Sequence, residues 1–100
     1  MMNNRLKLHE LLLTMCPNVY YQSPNNLQMK YPAIRYSKND INNRFANNGV
    51  YIQNEEYSIT VITKKVDDPI VTGLSKLPLC VYDRSFISDN LYHYVFKINY

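Results

Sequence analysis

The chain has few of the residues that cofactor, metal and redox sites commonly use. Among 100 residues it has two glycines, two cysteines and no tryptophan. With glycine only at Gly49 and Gly73, the sequence has no glycine-rich loop that cradles a phosphate, so nothing in it supports a bound cofactor. Cys16 and Cys80 lie far apart, without the spacings typical of a metal site or a redox pair. We therefore expect two reduced thiols and no metal site.

Long hydrophobic runs are also missing. The purest apolar run, residues 11–13, is far shorter than the ~20 residues that span a bilayer as a helix. Arg5 and Lys7 precede the first leucines, but His9 and Glu10 interrupt the pattern and no small-residue cleavage site follows. We expect no transmembrane helix, no membrane partner, no signal peptide, and synthesis in the cytoplasm.

Charge of one sign is scarce as well. Eleven basic residues against eight acidic ones give a net charge of +3, which is low for a dedicated nucleic-acid binder. Basic residues and aromatic residues do interleave around residues 30–38 and 44–45, with Lys64 and Lys65 further along, but the exposed face of an antiparallel sheet has the same composition. A small nucleic-acid-binding protein is therefore kept as a distant alternative.

What the chain does contain suits one folded domain, residues 1–100. Leu, Ile, Val and Phe are common enough to form a core. The ten tyrosines are too many to be fully buried with every hydroxyl paired, so we expect several to be partly exposed. Such tyrosines are typical of protein interfaces, although tyrosines half-buried on a sheet would look the same.

Two helices are predicted, each with an apolar face. Residues 3–15 form the first, which Pro17 ends, and Asp68 followed by Pro69 marks the start of the second. The apolar positions of the first, spaced i, i+3, i+4 and i+7, are Leu8, Leu11, Leu12 and Met15. Those of the second are Ile70, Leu74 and Leu77.

Strands are predicted at residues 19–21, 31–37 and 56–65. The last of these alternates clearly, with one face formed by Tyr57, Ile59, Val61 and Thr63. Residues 80–87 and 91–100 form a hairpin joined by the three-residue loop 88–90. On its apolar face the expected pairs are Cys80 with Ile98, Tyr82 with Phe96, Arg84 with Tyr94, and Phe86 with Tyr92.

These elements predict an α+β fold, in which a four- or five-stranded antiparallel or mixed sheet carries the N-terminal helix and the short second helix on one side. The expected core consists of Leu8, Leu11, Leu12, Ile34, Ile59, Val61, Leu74, Leu77, Tyr82, Phe86 and Phe96.

No combination of residues predicts catalysis. The expected register puts Cys80 about 16 Å from the position facing His93, and on the opposite face, which argues against a thiol enzyme. His9 lacks an i+4 histidine and is expected on a solvated helix face. Asp67 and Asp68 are explained by helix capping. We expect the protein not to be an enzyme.

Several short segments resemble one family. They are Tyr57–Thr63 (YSITVIT), Asp67-Asp68-Pro69, Leu77-Pro78, residues 82–86 (YDRSF), Asp89-Asn90-Leu91-Tyr92-His93 and Phe96. With the order of the elements, they resemble the tail terminator, or tail completion, proteins of bacteriophages and prophages of Gram-positive hosts. The likeness extends from about Tyr31 to the end.

The resemblance implies a structural protein of the virion tail, assembled in the host cytoplasm. Copies of the chain would form a ring, usually a hexamer, at the head-proximal end of the tail tube, where the ring stops tube polymerisation. Its partners would be the tail tube protein and the head-tail connector protein, and DNA would pass through the lumen only as cargo. A head-tail connector or stopper, or a minor capsid-associated protein, is the alternative within the same machinery.

Two sets of residues would serve such a ring. The polar segment 38–49 is predicted to be a long surface loop, and loops of that length are often functional. Its expected contacts with a neighbouring subunit or the tube are Asn42, Asn43, Arg44, Phe45, Asn47 and Asn48. The basic residues expected to face the lumen or a partner are Lys38, Arg44, Lys64 and Lys65.

Overall fold

The structure, a computed structural model, describes residues 4–22, 30–39 and 56–100. Two helices and five strands are formed by these residues. In chain order they are α1 (Asn4–Leu13), β1 (Val19–Tyr21), β2 (Ala33–Lys38), β3 (Glu56–Thr63), α2 (Pro69–Ser75), β4 (Cys80–Ser88) and β5 (Leu91–Asn99).

The five strands form one mixed sheet in the order β1-β2-β3-β5-β4. The short β1 runs parallel to β2, and every other neighbouring pair is antiparallel. The predicted α+β class, with a sheet of four or five strands and two helices, is therefore confirmed.

Both helices cover the same face of the sheet, called here the helix face. On α1, Leu8 and Leu12 are buried, and on α2, Ile70 and Leu74 are buried. All four belong to one core cluster. The strand residues in that cluster are Ile34, Tyr36, Tyr57, Ile59, Val61, Phe96 and Ile98.

The strand with the clearest alternation behaves as predicted. Tyr57, Ile59, Val61 and Thr63 of β3 are buried on the helix face. Ile62, on the opposite face, is buried too. Since β3 lies in the middle of the sheet, both of its faces carry buried side chains.

The start of α2 also follows its sequence signature. Asp68 is the N-cap and accepts a hydrogen bond from the Ile70 backbone N–H at 3.0 Å. Its other carboxylate oxygen accepts from the Thr63 hydroxyl at 2.7 Å, and both side chains are buried. This junction fixes the end of β3 to the start of α2.

Tyrosines contribute more to the core than the sequence predicts. Tyr36 and Tyr57 are buried with their ring centroids 6.2 Å apart, and Tyr21 lies 4.9 Å from Tyr36. The prediction that His9 lies on a solvated helix face is wrong. Its Nδ1 is 2.8 Å from the Tyr36 hydroxyl and the residue is half-buried, because a buried phenol needs a hydrogen-bond partner.

The terminal hairpin is the main departure from prediction. Its loop has two residues, Asp89 and Asn90, whose φ angles of 54° and 64° are those of a type I′ turn. The predicted pairs Tyr82 with Phe96 and Cys80 with Ile98 are confirmed. Those closer to the turn are wrong, since the observed pairs are Arg84 with Val95, Ser85 with Tyr94, Phe86 with His93, and Ile87 with Tyr92.

A β-bulge at Asp83 accounts for this difference. The two-residue turn sets one register near the tip, and the packing of Tyr82 against Phe96 sets another near the core. The extra residue Asp83, between Tyr82 and Arg84, absorbs the mismatch.

Two of the expected core residues are therefore not buried. Tyr82 is 51% exposed and Phe86 is 43% exposed, because β4 is an edge strand and the bulge turns Phe86 to the face without helices. Leu11 and Leu77 are partly buried against the core, and the other seven expected core residues are buried.

Candidate protein-docking surface

The loop residues predicted to contact partners, Asn42, Asn43, Arg44, Phe45, Asn47 and Asn48, lie outside the described residues. Of the predicted basic residues, Lys38 is at the end of β2, opposite Tyr57, and is half-buried. Lys64 and Lys65 are exposed just after β3. Because Tyr57 and Lys64 are seven residues apart along β3, Lys38 lies roughly 23 Å from the lysine pair. The structure does not bring these three lysines together.

The two groups considered for thiol chemistry are also apart. Cys80 pairs with Ile98 on the helix face, while His93 pairs with Phe86 on the opposite face. Burial raises the pKa of the Cys80 thiol, so the thiol is protonated at neutral pH. Within residues 4–22, 30–39 and 56–100, no three His, Cys, Asp or Glu side chains form a group that could hold a metal ion, and no helix is long and apolar enough to span a membrane.

The surface that stands out is the outer edge of β4, called here the β4 edge. In the described sheet β4 pairs only with β5, so the other side of its nine-residue backbone has no neighbouring strand. All of its residues except Cys80 are exposed. The large apolar ones are Val81 (64% exposed), Tyr82, Phe86 and Ile87 (68% exposed).

Aromatic contacts hold β4 against β5. Tyr82 packs edge-on against Phe96, with the ring centroids 5.6 Å apart. Phe86 stacks on His93 at 4.7 Å with the planes nearly parallel. Since these contacts fix β4 on its inner side, the strand keeps its extended shape without a neighbour on its outer side.

An open depression lies near the tip of this hairpin, beside the β4 edge. It is lined by Ser85, Phe86, Ile87, Tyr92 and Tyr94. Tyr92 and Tyr94 stack with their centroids 6.5 Å apart. The walls are mainly aromatic and aliphatic, which is typical of a surface that receives a protein side chain.

The centre of the β4 edge is charged. Arg84 Nη1 lies 2.6 Å from Asp83 Oδ2, and both residues are exposed. The sequence does not mark β4 as a site, because which strand is at the edge of the sheet depends on nonlocal pairing. A local signal of the bulge is present, although it does not show that β4 is the edge strand. Two adjacent charged residues interrupt the period-two alternation at the bulge.

An exposed, apolar strand edge has one obvious chemical capability. Its free N–H and C=O groups can pair with an incoming strand, while its side chains provide specificity. We therefore take the β4 edge as the candidate functional site.

Comparison of the chain with known protein families, with curated proteins and with solved structures found no match.

Proposed function

We propose that the chain is a structural subunit that binds other protein subunits through the β4 edge, and that it acts as a tail terminator in a tailed phage or prophage. The docking role rests on one observation, the nine-residue edge strand with its exposed apolar side chains. An exposed apolar edge of this length favours association with another protein.

The place in the tail rests on the sequence resemblance. In this proposal copies of the chain form a ring, a hexamer by analogy, on the head-proximal end of the tail tube. The ring ends tube polymerisation and presents its other side to the connector. DNA passes through without being read, and the chain performs no catalysis.

The test uses a producing strain from which the coding sequence has been deleted, complemented with variants of the chain. Ile87→Lys puts a charge on the β4 edge. Val66→Lys is the matched control, because Val66 is a similarly exposed apolar residue (59%) between β3 and α2. We expect overlong, headless tubes with Ile87→Lys, and tails of normal length joined to heads with Val66→Lys.

Electron microscopy of the particles distinguishes the alternatives. Tails of normal length that fail to join heads would instead support a connector or stopper. Complete particles with Ile87→Lys would refute docking through β4.

A further inference from the structure

We infer that the β4 edge pairs with β4 of a second copy of this chain, antiparallel and about a two-fold axis between Asp83 and Arg84. The purified protein is then in equilibrium between a monomer and a symmetric dimer. This inference goes beyond the proposed function and does not depend on it, because it concerns the chain before it joins any assembly. The dimer covers the edge that the assembled subunit uses, so it dissociates when the chain joins an assembly.

The bulge changes which residues of β4 share a face. Tyr82 pairs with Phe96, and Ser85 pairs with Tyr94. Phe96 and Tyr94 are two residues apart on β5 and share the helix face. Tyr82 and Ser85 therefore share that face although they are three residues apart, which a strand without a bulge does not allow.

The faces of β4 restrict the registers that a pair of antiparallel copies can adopt. Residues that lie opposite each other in neighbouring strands must be on the same face. Moving the axis by half a residue toward the hairpin turn sets Tyr82 opposite Phe86. Moving it by a whole residue in the same direction sets Arg84 opposite Ser85. Each of these pairs joins opposite faces. With the axis between Asp83 and Arg84, the pairs Tyr82 with Ser85, Val81 with Phe86, and Cys80 with Ile87 all match. An axis between Tyr82 and Asp83, or one through Phe86, also matches faces, but it leaves Arg84 opposite an uncharged residue, Val81 or Ser88. Only the axis between Asp83 and Arg84 sets these two charged residues opposite each other.

The charges at the centre of β4 complement those of a second copy. In this register Asp83 of each copy lies opposite Arg84 of the other, so that two opposite-charge pairs flank the axis. The intrachain contact of 2.6 Å places the two charged groups side by side at the centre of the strand. Opposite charges across strands are favourable, and like charges across strands are unfavourable.

The exposed apolar side chains of β4 also gain partners in this register. Val81 and Ile87 are the most exposed apolar residues of β4. The same register gives each an apolar partner, Phe86 for Val81 and Cys80 for Ile87. A charged, bulged edge discourages pairing with an unrelated flat strand. A second copy has the same bend and the complementary charges, so it is the occupant that fits.

One strand pair makes a small interface, so the dimer is expected to be weak. Analytical ultracentrifugation should show a monomer–dimer equilibrium with a dissociation constant below about 1 mM. Asp83→Arg and Arg84→Asp each place like charges opposite one another, and each should weaken the dimer about tenfold or more. An equimolar mixture of the two variants restores both opposite-charge pairs and should dimerise as the unaltered protein does.

Outcomes that would overturn the inference are a monomer at every concentration, a larger oligomer, or a mixture no more associated than either variant alone. Both substitutions are at exposed positions, and circular dichroism of each variant checks that the fold is retained.

Cross-linking tests the register directly. In Ile87→Cys, the new thiol faces Cys80 of the second copy, and oxidation with diamide should give a disulfide-linked dimer on a non-reducing gel. Phe86→Cys is the control, because residue 86 faces Val81 and not a thiol. Equal cross-linking of the two variants, or none with Ile87→Cys, would contradict the register.

Discussion

The buried junction between β3 and α2 provides a stability prediction whose size follows from its hydrogen bonds. The Asp68 carboxylate accepts from the Ile70 backbone N–H and from the Thr63 hydroxyl. Asp68→Ala removes a helix N-cap, worth about 1 kcal/mol, and a hydrogen bond to a charged acceptor, worth about 2 kcal/mol when its buried partner loses it. We expect the free energy of unfolding to fall by about 3 kcal/mol. For a domain of this size the midpoint should fall by about 10 to 25 °C.

The controls for this prediction are Asp68→Asn and Thr63→Val. An asparagine keeps an oxygen for the Ile70 N–H and should cost about 1 kcal/mol. Thr63→Val removes the hydroxyl with little change of shape, and a double-mutant cycle with Asp68→Ala isolates the pair. Urea denaturation followed by circular dichroism measures each variant. If Asp68→Ala unfolds within about 0.5 kcal/mol of the unaltered protein, the assignment of this junction is wrong.

Three further predictions concern other parts of the fold. Val61→Asp buries an unpaired carboxylate in the core and should cost several kcal/mol in urea denaturation, so an unchanged midpoint would refute the face assignment of β3. Asn90→Gly suits the positive φ of the turn and should raise the free energy of unfolding by about 0.5 kcal/mol; a lower melting temperature would contradict the I′ turn. Burial raises the pKa values of Cys16, Tyr36 and Cys80 in the folded state. Above about pH 9 the unfolded chain therefore binds fewer protons than the folded one, and stability measured by urea denaturation should fall as pH rises; a rise there would contradict the sign.

The parts of the fold that the sequence predicted correctly depend on local patterns. The alternation in β3 and the Asp68-Pro69 helix start are both read from adjacent residues, and both are confirmed. The α+β class was predictable because two helices with apolar faces can bury those faces by packing on one sheet.

Most of the wrong predictions concern residues whose environment depends on nonlocal pairing. Tyr82 and Phe86 have core-like character, but β4 lies at the edge of the sheet, and no pattern within residues 80–88 reveals that position. The turn also had a local signal that was misread, since Asp89 and Asn90 suit a two-residue turn better than the tip of a three-residue loop. The half-buried position of His9 depends on its hydrogen bond with Tyr36, which is distant in sequence.

We propose that the chain ends tail tubes as a structural subunit. The most direct measurement is the length of tails, by electron microscopy, from a producing strain with and without this chain. The account predicts overlong, headless tubes in its absence. Fully assembled particles of normal length in its absence would contradict it.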